Sequence, residues 1–465
     1  MNAVTESTSL AQRPRKAPPK APLLSGGGLL GHVFFMRDDP LGTFLHAREA
    51  CGPIARVRLG PLTGFFLYEP ADVERVLTTN AANYGKSTRG YDKLRLLLGD
   101  GLVTSQGEHW LRQRRIAQPA FLRKRVAGLA DRMVDAAADM ADAWAEPAAR
   151  GAEIDAHDAM NQLALRIAGE TLFSTDVTGE AGEIGTSMLG VLTQFNRLVA
   201  SPLPWPERWP TPANLRFWRG VRTLHRVVDG LIAERRGRSE QPADLLGLFM
   251  DARDPETGEG MTDRQLRDEA LTMLLAGHET TANGLSWTLH LLAQYPDAAR
   301  RVEAELDRVL AGRLPTAADY GALTFTHQVV QESLRLYPPV WLLARRAMAD
   351  DVLSGYHVPR GSLVFMSQYA IHRDPRLWSD PEGFDPDRFA PDAPAPGRFA
   401  YFPFSRGQRQ CIGDHFAQME MVLVLATLLQ RYRLASVPGH PVVPEPSVTL
   451  RPRDGLRMRL SPRAA

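Results

Sequence analysis

Two cysteines occur in the chain, Cys51 and Cys411, and only the second stands among residues arranged for chemistry. It lies in Phe404-Ser405-Arg406-Gly407-Gln408-Arg409-Gln410-Cys411-Ile412-Gly413. A lone cysteine is most often a small core hydrophobe, but three features of this segment point elsewhere. Gly407 and Gly413 bracket the sulfur, so the backbone can turn tightly and a large group can come close. Arg409 brings a permanent cation suited to a carboxylate. Residues 413–432 read as a helix, whose free N–H groups and dipole favour a thiolate over a thiol at its start. An anionic sulfur, open backbone and a carboxylate-binding arginine together describe the proximal ligand of a heme.

A second reactive set sits far upstream. The apolar run Leu271-Thr272-Met273-Leu274-Leu275-Ala276-Gly277 gives way abruptly to His278, Glu279, Thr280 and Thr281. A mid-helix glycine costs about 1 kcal/mol relative to alanine, and hydroxyl side chains can bond back to helix carbonyls. A local widening of the helix, with room for dioxygen and water, is expected there. Glu332 and Arg335 are three residues apart and can meet on one helical face. Other matches fail for lack of context. Gly26-Gly27-Gly28-Leu29-Leu30-Gly31 has the spacing of a dinucleotide fingerprint, but no strand precedes it. His278-Glu279-Thr280-Thr281-Ala282 begins like a helical zinc motif and lacks the second histidine. Cys51 has no partner nearby and reads as structural.

The elements that must position these groups are mostly helices. Residues 112–300 show helical spacing almost throughout, broken by the proline- and tryptophan-rich stretch 201–212 that carries Trp205 and Trp209. Thr262 and Gln265 form a reciprocal capping pattern, so one long helix is predicted from there to Tyr295, before Pro296. At 1.5 Å per residue it spans roughly 50 Å, enough to cross a domain. Helices follow at 297–310 and 325–336, and a shorter one is expected at 71–77. Residues 56–68 and 448–460 read as hairpins, 355–364 as strand, and 374–403 as irregular. The fold class is mainly α with small β-sheets. Residues 1–20 form a disordered arm, and 21–465 a single domain.

Composition narrows the function classes. The 465 residues are 44% hydrophobic and 23% charged, an ordinary globular balance. Formal net charge is +2, and the first twenty residues alone carry Arg13, Arg15, Lys16 and Lys20 against Glu6, so the body is almost neutral. Nucleic acid is not the expected partner. Two distant cysteines exclude a disulfide scaffold and fit a reducing compartment. No apolar run reaches the length of a membrane span, and residues 1–20 lack a signal-peptide core. A cytoplasmic protein without a transmembrane anchor is expected.

The segment Phe-x-x-Gly-x-Arg-x-Cys-x-Gly at 404–413 resembles the signature of the cytochrome P-450 family of heme-thiolate monooxygenases. Four further segments resemble family elements in the expected order: Trp110-x-x-x-Arg114, Ala276-Gly277-His278-Glu279-Thr280-Thr281, Glu332-x-x-Arg335, and Pro386-Asp387-Arg388-Phe389, with Asp387 where glutamate is commoner. The resemblance covers the chain after the arm and implies a soluble bacterial-type member, an α-rich triangular prism with a long central helix over heme b. It makes Cys411 the iron ligand, moderated by N–H groups near Gly413. Glu279 and Thr280 become the acid–alcohol pair that delivers the protons consumed by O–O cleavage, with Glu279 connecting to solvent. Arg409, Trp110, Arg114 and Arg346 would serve the propionates, Arg345 being the neighbouring alternative to Arg346. Phe404 and Ala276 would line the heme, and Glu332, Arg335 and Arg388 would form a buried network that shapes its core.

The same resemblance places Leu275, Ala276, Thr280, Val340, Trp341, Leu342 and Leu343 around the substrate. Such a lining suits an apolar molecule, such as a terpenoid, steroid-like compound or fatty acid. Electrons would come from a ferredoxin or flavodoxin with an NAD(P)H-dependent reductase. A basic face of Arg112, Arg115, Arg123, Lys124 and Arg406 would dock an acidic ferredoxin to a monomeric enzyme. Two other classes compete with O2-dependent monooxygenation. A heme-thiolate peroxygenase or hydroperoxide isomerase would not need Glu279 and Thr280, and a heme-binding sensor would carry an output module.

Overall fold

The computed structural model describes residues 18–174, 190–191, 194–195, 207, 209–238 and 244–463. Its longer helices are α1 (Pro40–Cys51), α2 (Arg89–Leu98), α3 (Gly107–Ala117), α4 (Ala130–Ala143), α5 (Ala156–Phe173), α6 (Pro212–Arg236), α7 (Asp263–Gln294), α8 (Pro296–Leu310), α9 (Thr324–Leu336) and α10 (Asp414–Leu429). The molecule is mainly α with small sheets at its edges.

Helix α7 organises the rest. At its start Thr262 Oγ1 accepts from Gln265 N at 3.3 Å, while Gln265 Oε1 accepts from Thr262 N at 2.8 Å. Two otherwise orphaned donors are satisfied at once. The helix ends at Tyr295, ahead of Pro296. Its second half is buried all round, from Thr281 to Leu292, as befits a helix enclosed by others. It packs most extensively on α5 and also meets α6, α9 and α10. The α10 approach requires Gly284, where an added Cβ would stand 2.8 Å from Met421 Cε.

The main sheet has the order β1 (Ile54–Leu59), β2 (Leu62–Leu67), β5 (Leu363–Met366), β4 (Leu343–Ala347), β3 (Tyr84–Gly85). β2 runs parallel to β5, with Gly64 opposite Leu363, and the other pairs are antiparallel. Side chains alternate across it. Leu343, Val364 and Met366 join Leu77 and Phe402 in one apolar cluster, while Leu363 and Phe365 join Phe44, Phe66 and Trp341 in another. Residues 54–67 are thus the expected hairpin.

Elsewhere the structure departs from the sequence reading. The helix expected at 71–77 is split into Pro70–Glu74 and a wider turn, Arg75–Thr79. The strand expected at 355–364 is divided, because Pro359 has no N–H to continue a ladder. Residues 448–460 are not a hairpin: Leu450–Pro452 pairs with Pro444–Pro446, and Arg457–Pro462 crosses to Tyr432–Ser436 and Glu153–Asp155. Lys20 bridges His357, and Pro19 O accepts from His357 N at 3.0 Å, so the end of the expected arm joins the sheet edge. Residues 1–17 and Trp205 lie outside the described residues, whereas Trp209 is half exposed.

Candidate active site

The cysteine segment is a loop held by its own backbone. Cys411 N donates to Phe404 O at 2.9 Å and Gln410 N to Gly407 O at 3.1 Å. Gly407 has φ +75°, and a Cβ there would stand 2.1 Å from Leu77 O, so both conformation and space demand glycine. Cys411 opens onto a depression of about 710 Å³ that Arg114, Phe121, Tyr320, His327 and His415 also line. Cys411 itself is exposed at the mouth of that depression, though protein atoms crowd its sulfur. Desolvation pushes its thiol up to about 11, against the opposing pull of the Gly413 N–H and Arg114. Asp414 is the first residue of α10, and its carboxylate adds repulsion where the dipole would have helped. A coordinating metal removes such a proton outright.

Three cations gather close by. Arg409 lies over the Trp110 ring at 4.1 Å and its Nη1 donates to Ser105 O at 2.9 Å. Burial and the neighbouring Arg345 lower its guanidinium to about 10. Arg345 is buried and donates to Ala344 O at 2.9 Å. Lys86 Nζ donates to Val103 O at 2.8 Å, and burial together with Arg345 and Arg409 pushes its ammonium well down. Each of the three has a backbone carbonyl for its partner. Like charges held together at a half-buried site call for anions.

On α7, Ala276 is exposed although it stands midway along the central helix, and Met273, Gly277, Glu279 and Thr280 are partly open beside it. The helix is continuous through Gly277, so the expected widening is absent. Thr280 Oγ1 instead bonds back to Ala276 O at 2.5 Å. Glu279 Oε1 accepts from Thr449 Oγ1 at 2.8 Å. Burial raises its carboxyl, opposed by Thr449 and by the charge of Arg451. Its carboxylate is thus turned to the C-terminal segment rather than directly to solvent. His278 is buried, and desolvation lowers it to about 4.

The profile of the cytochrome P-450 family matches residues 21–457. The chain belongs to that family. It is 39% identical over 431 residues to cyclooctat-9-en-7-ol 5-monooxygenase of Streptomyces melanosporofaciens, covering 91% of this chain and 92% of that protein. Identity to pentalenene oxygenase of Streptomyces avermitilis is 36%, over 94% of this chain and 96% of that one. The crystal structure of a cytochrome P-450 heme domain superposes with a TM-score of 0.88 at 28% identity, covering 97% and 99% of the two chains. The protein is a cytochrome P-450 monooxygenase, and its cofactor is heme b. The residues present fit that group: a sulfur on a glycine-held loop suits the iron, and clustered, partly buried cations without an acidic partner among the described residues suit two propionates.

Several expected P-450 site residues take other places. Arg346 Nε donates to Ser87 O at 2.8 Å on the open side of β4. Strand alternation turns Arg345, not Arg346, toward Arg409. Arg114 leaves the cation cluster and donates to Gln410 O at 2.9 Å on the cysteine loop. Trp341 is no pocket wall, since it packs edge-on to Phe44 at 6.2 Å and its Nε1 donates to Ser447 O at 3.0 Å. Leu342 packs with that cluster, Val340 and Leu343 pack on the opposite cluster, and Leu275 is buried in the helical core. The basic face also shrinks. Arg112 and Arg115 both reach Asp254, and Arg115 also pairs with Glu256, leaving Arg123 and Lys124 exposed. Arg406 donates to the carbonyls of Arg398 and Tyr401.

Lys86 and Met273 are among the residues that escaped the sequence reading. Lys86 gives no local signal, because it reaches the cations only once β3 pairs with β4. Met273 was legible, lying three residues before Ala276 on the same face. Glu332, Arg335 and Arg388 do meet. Arg335 donates twice to Glu332 at 2.7 Å, and Arg388 Nε donates to Glu332 at 3.3 Å. Asp387 points outward to Arg301, which is why its replacement of glutamate leaves that cluster intact.

Proposed function

We propose that Cys411 is the iron ligand of this monooxygenase, with Arg409, Arg345 and Lys86 serving the propionates. The observation that carries this reading is a trio of cations, Arg345 buried and Lys86 and Arg409 half-buried, each bonded to a carbonyl and gathered beside a cysteine loop that admits only glycine at 407. When bound, the heme supplies the iron at which dioxygen is split and one atom is inserted into the substrate. Glu279 and Thr280 hold and pass the protons that this cleavage consumes. Thr280 keeps its hydroxyl on Ala276 O until a better acceptor is present. Phe404 and Ala276 would stand against the heme when it is bound, and Gly413 directs its N–H at the sulfur.

The substrate is an apolar terpenoid-like molecule. Met273 and Ala276 offer it no charge, and the named relatives act on an unsaturated cyclic alcohol and on pentalenene. Electrons arrive from a ferredoxin or flavodoxin served by an NAD(P)H-dependent reductase, docking over the depression that Cys411 and Arg123 share. The test is the reduced, carbon-monoxide-bound spectrum of wild type and Cys411→Ser, with a spin-shift screen of cyclic terpenes. A thiolate-type band that survives the substitution overturns the ligand assignment. Thr280→Ala should release peroxide in place of product.

A further inference from the structure

Glu279, Asn283 and Trp287 recur at intervals of four along α7 and form one stripe. All three reach the same short piece of the C-terminal segment. Thr449 Oγ1 donates to Glu279 Oε1 at 2.8 Å, Asn283 Nδ2 donates to Thr449 Oγ1 at 3.0 Å, and Trp287 Nε1 donates to Leu450 O at 2.9 Å. From the other side, Leu450 N donates to Pro339 O at 2.9 Å and Trp341 Nε1 to Ser447 O at 3.0 Å. Thr449 is 4% exposed, and Asn283 and Trp287 are fully buried.

A hydroxyl has one proton and an acceptor side. Asn283 presents its amide nitrogen to Thr449, which fills the hydroxyl's acceptor side and leaves its proton for Glu279, while Asn283 Oδ1 is buried without a partner among the described residues. We propose that Thr449, oriented by Asn283, is a positioning residue for proton delivery, clamping the Glu279 carboxylate in one orientation between successive proton transfers. This rests on the reading of Glu279 as the proton-delivering acid.

In this arrangement Glu279 takes a proton from water and hands it on toward Thr280, while Thr449 keeps its own proton throughout. The amide N–H of Asn283 cannot resupply it, which makes the segment a clamp rather than a wire. Arg451, paired with Glu445 at 2.7 Å, is the charged group that the segment itself brings toward Glu279. From α5, His157 approaches Arg451, and His278 lies next to Glu279 on α7 itself.

The experiment uses the heme-loaded enzyme with its reductase system and pentalenene, or whichever screened terpene shifts the spin state most. Product and peroxide formed per NAD(P)H are measured for Thr449→Val, Thr449→Ser, Asn283→Leu and Glu279→Gln, with the solvent deuterium isotope effect on turnover. Losing one hydrogen bond to a carboxylate should lower product yield about tenfold in Thr449→Val and raise the isotope effect. Thr449→Ser should restore both. Asn283→Leu, which leaves the hydroxyl in place, should uncouple in the same direction and serves if the valine variant fails to load heme. Wild-type coupling in Thr449→Val or Asn283→Leu, alongside uncoupling in Glu279→Gln, overturns the clamp. Wild-type coupling in Glu279→Gln instead overturns the role given to the acid.

Discussion

Arg335→Leu should cost this P-450 much of its stability. Arg335 is wholly buried and donates to both oxygens of Glu332, to His372 O at 2.8 Å, to Pro381 O at 2.6 Å and to Gly383 O at 2.8 Å. Breaking a buried ion pair by removing one partner costs roughly 3–5 kcal/mol. Glu332 retains Asp385 N at 2.9 Å and Arg388, so the low end applies. Three orphaned carbonyls add about 1 kcal/mol each, for a loss of about 6 kcal/mol. That is a large share of the roughly 5–15 kcal/mol that holds a typical fold together. Burial already raises the Glu332 carboxyl, and without Arg335 it escapes by protonating. The variant should therefore lose more at higher pH than at lower. Urea unfolding followed by fluorescence and by heme absorbance reads both effects. Glu332→Leu combined with Arg335→Leu should cost clearly less than the two single losses together, because neither charge is then left alone. A loss below about 1 kcal/mol, or strict additivity, would refute the reasoning.

Arg345→Leu should release hemin to a scavenger about tenfold or more faster than wild type, and Arg346→Leu should scarcely change the rate, since only Arg345 faces Arg409. Equal rates in the two variants would return the propionate role to Arg346. Glu269 on α7 is fully buried, and desolvation raises its carboxyl from 4.5 to about 7. The folded state holds that proton more tightly than the unfolded state, so this contribution is complete below about pH 4.5 and is lost as pH rises through about 7, some 3 kcal/mol in all. Unfolding midpoints measured across that window should fall less steeply in Glu269→Gln than in wild type, and identical slopes would exclude the effect.

Much of the site was readable because its chemistry is local. The glycines, arginine and cysteine of 404–413 lie in one loop, and the capping pattern at Thr262 and Gln265 needs only neighbours. What escaped is set by pairing at a distance. Arg345 and Arg346 cannot be told apart until the β4–β5 register assigns each to a face. Lys86 joins the cations only through β3. Trp341 looked like a pocket wall because the sequence gives no hint that Ser447, far down the chain, accepts from its indole. Thr449 was overlooked for the same reason: its partners lie on α7.

The trio of Lys86, Arg345 and Arg409 has a consequence for biosynthesis. Newly made polypeptide must gather three mutually repelling positive charges, one buried and two half-buried, and the pigment brings groups that neutralise them. Capture of the porphyrin and consolidation of the last tertiary structure are therefore thermodynamically linked. A culture starved of iron or porphyrin precursors would accumulate loosened, protease-sensitive chains rather than a stable colourless enzyme, and yield would follow pigment supply more closely than transcript level.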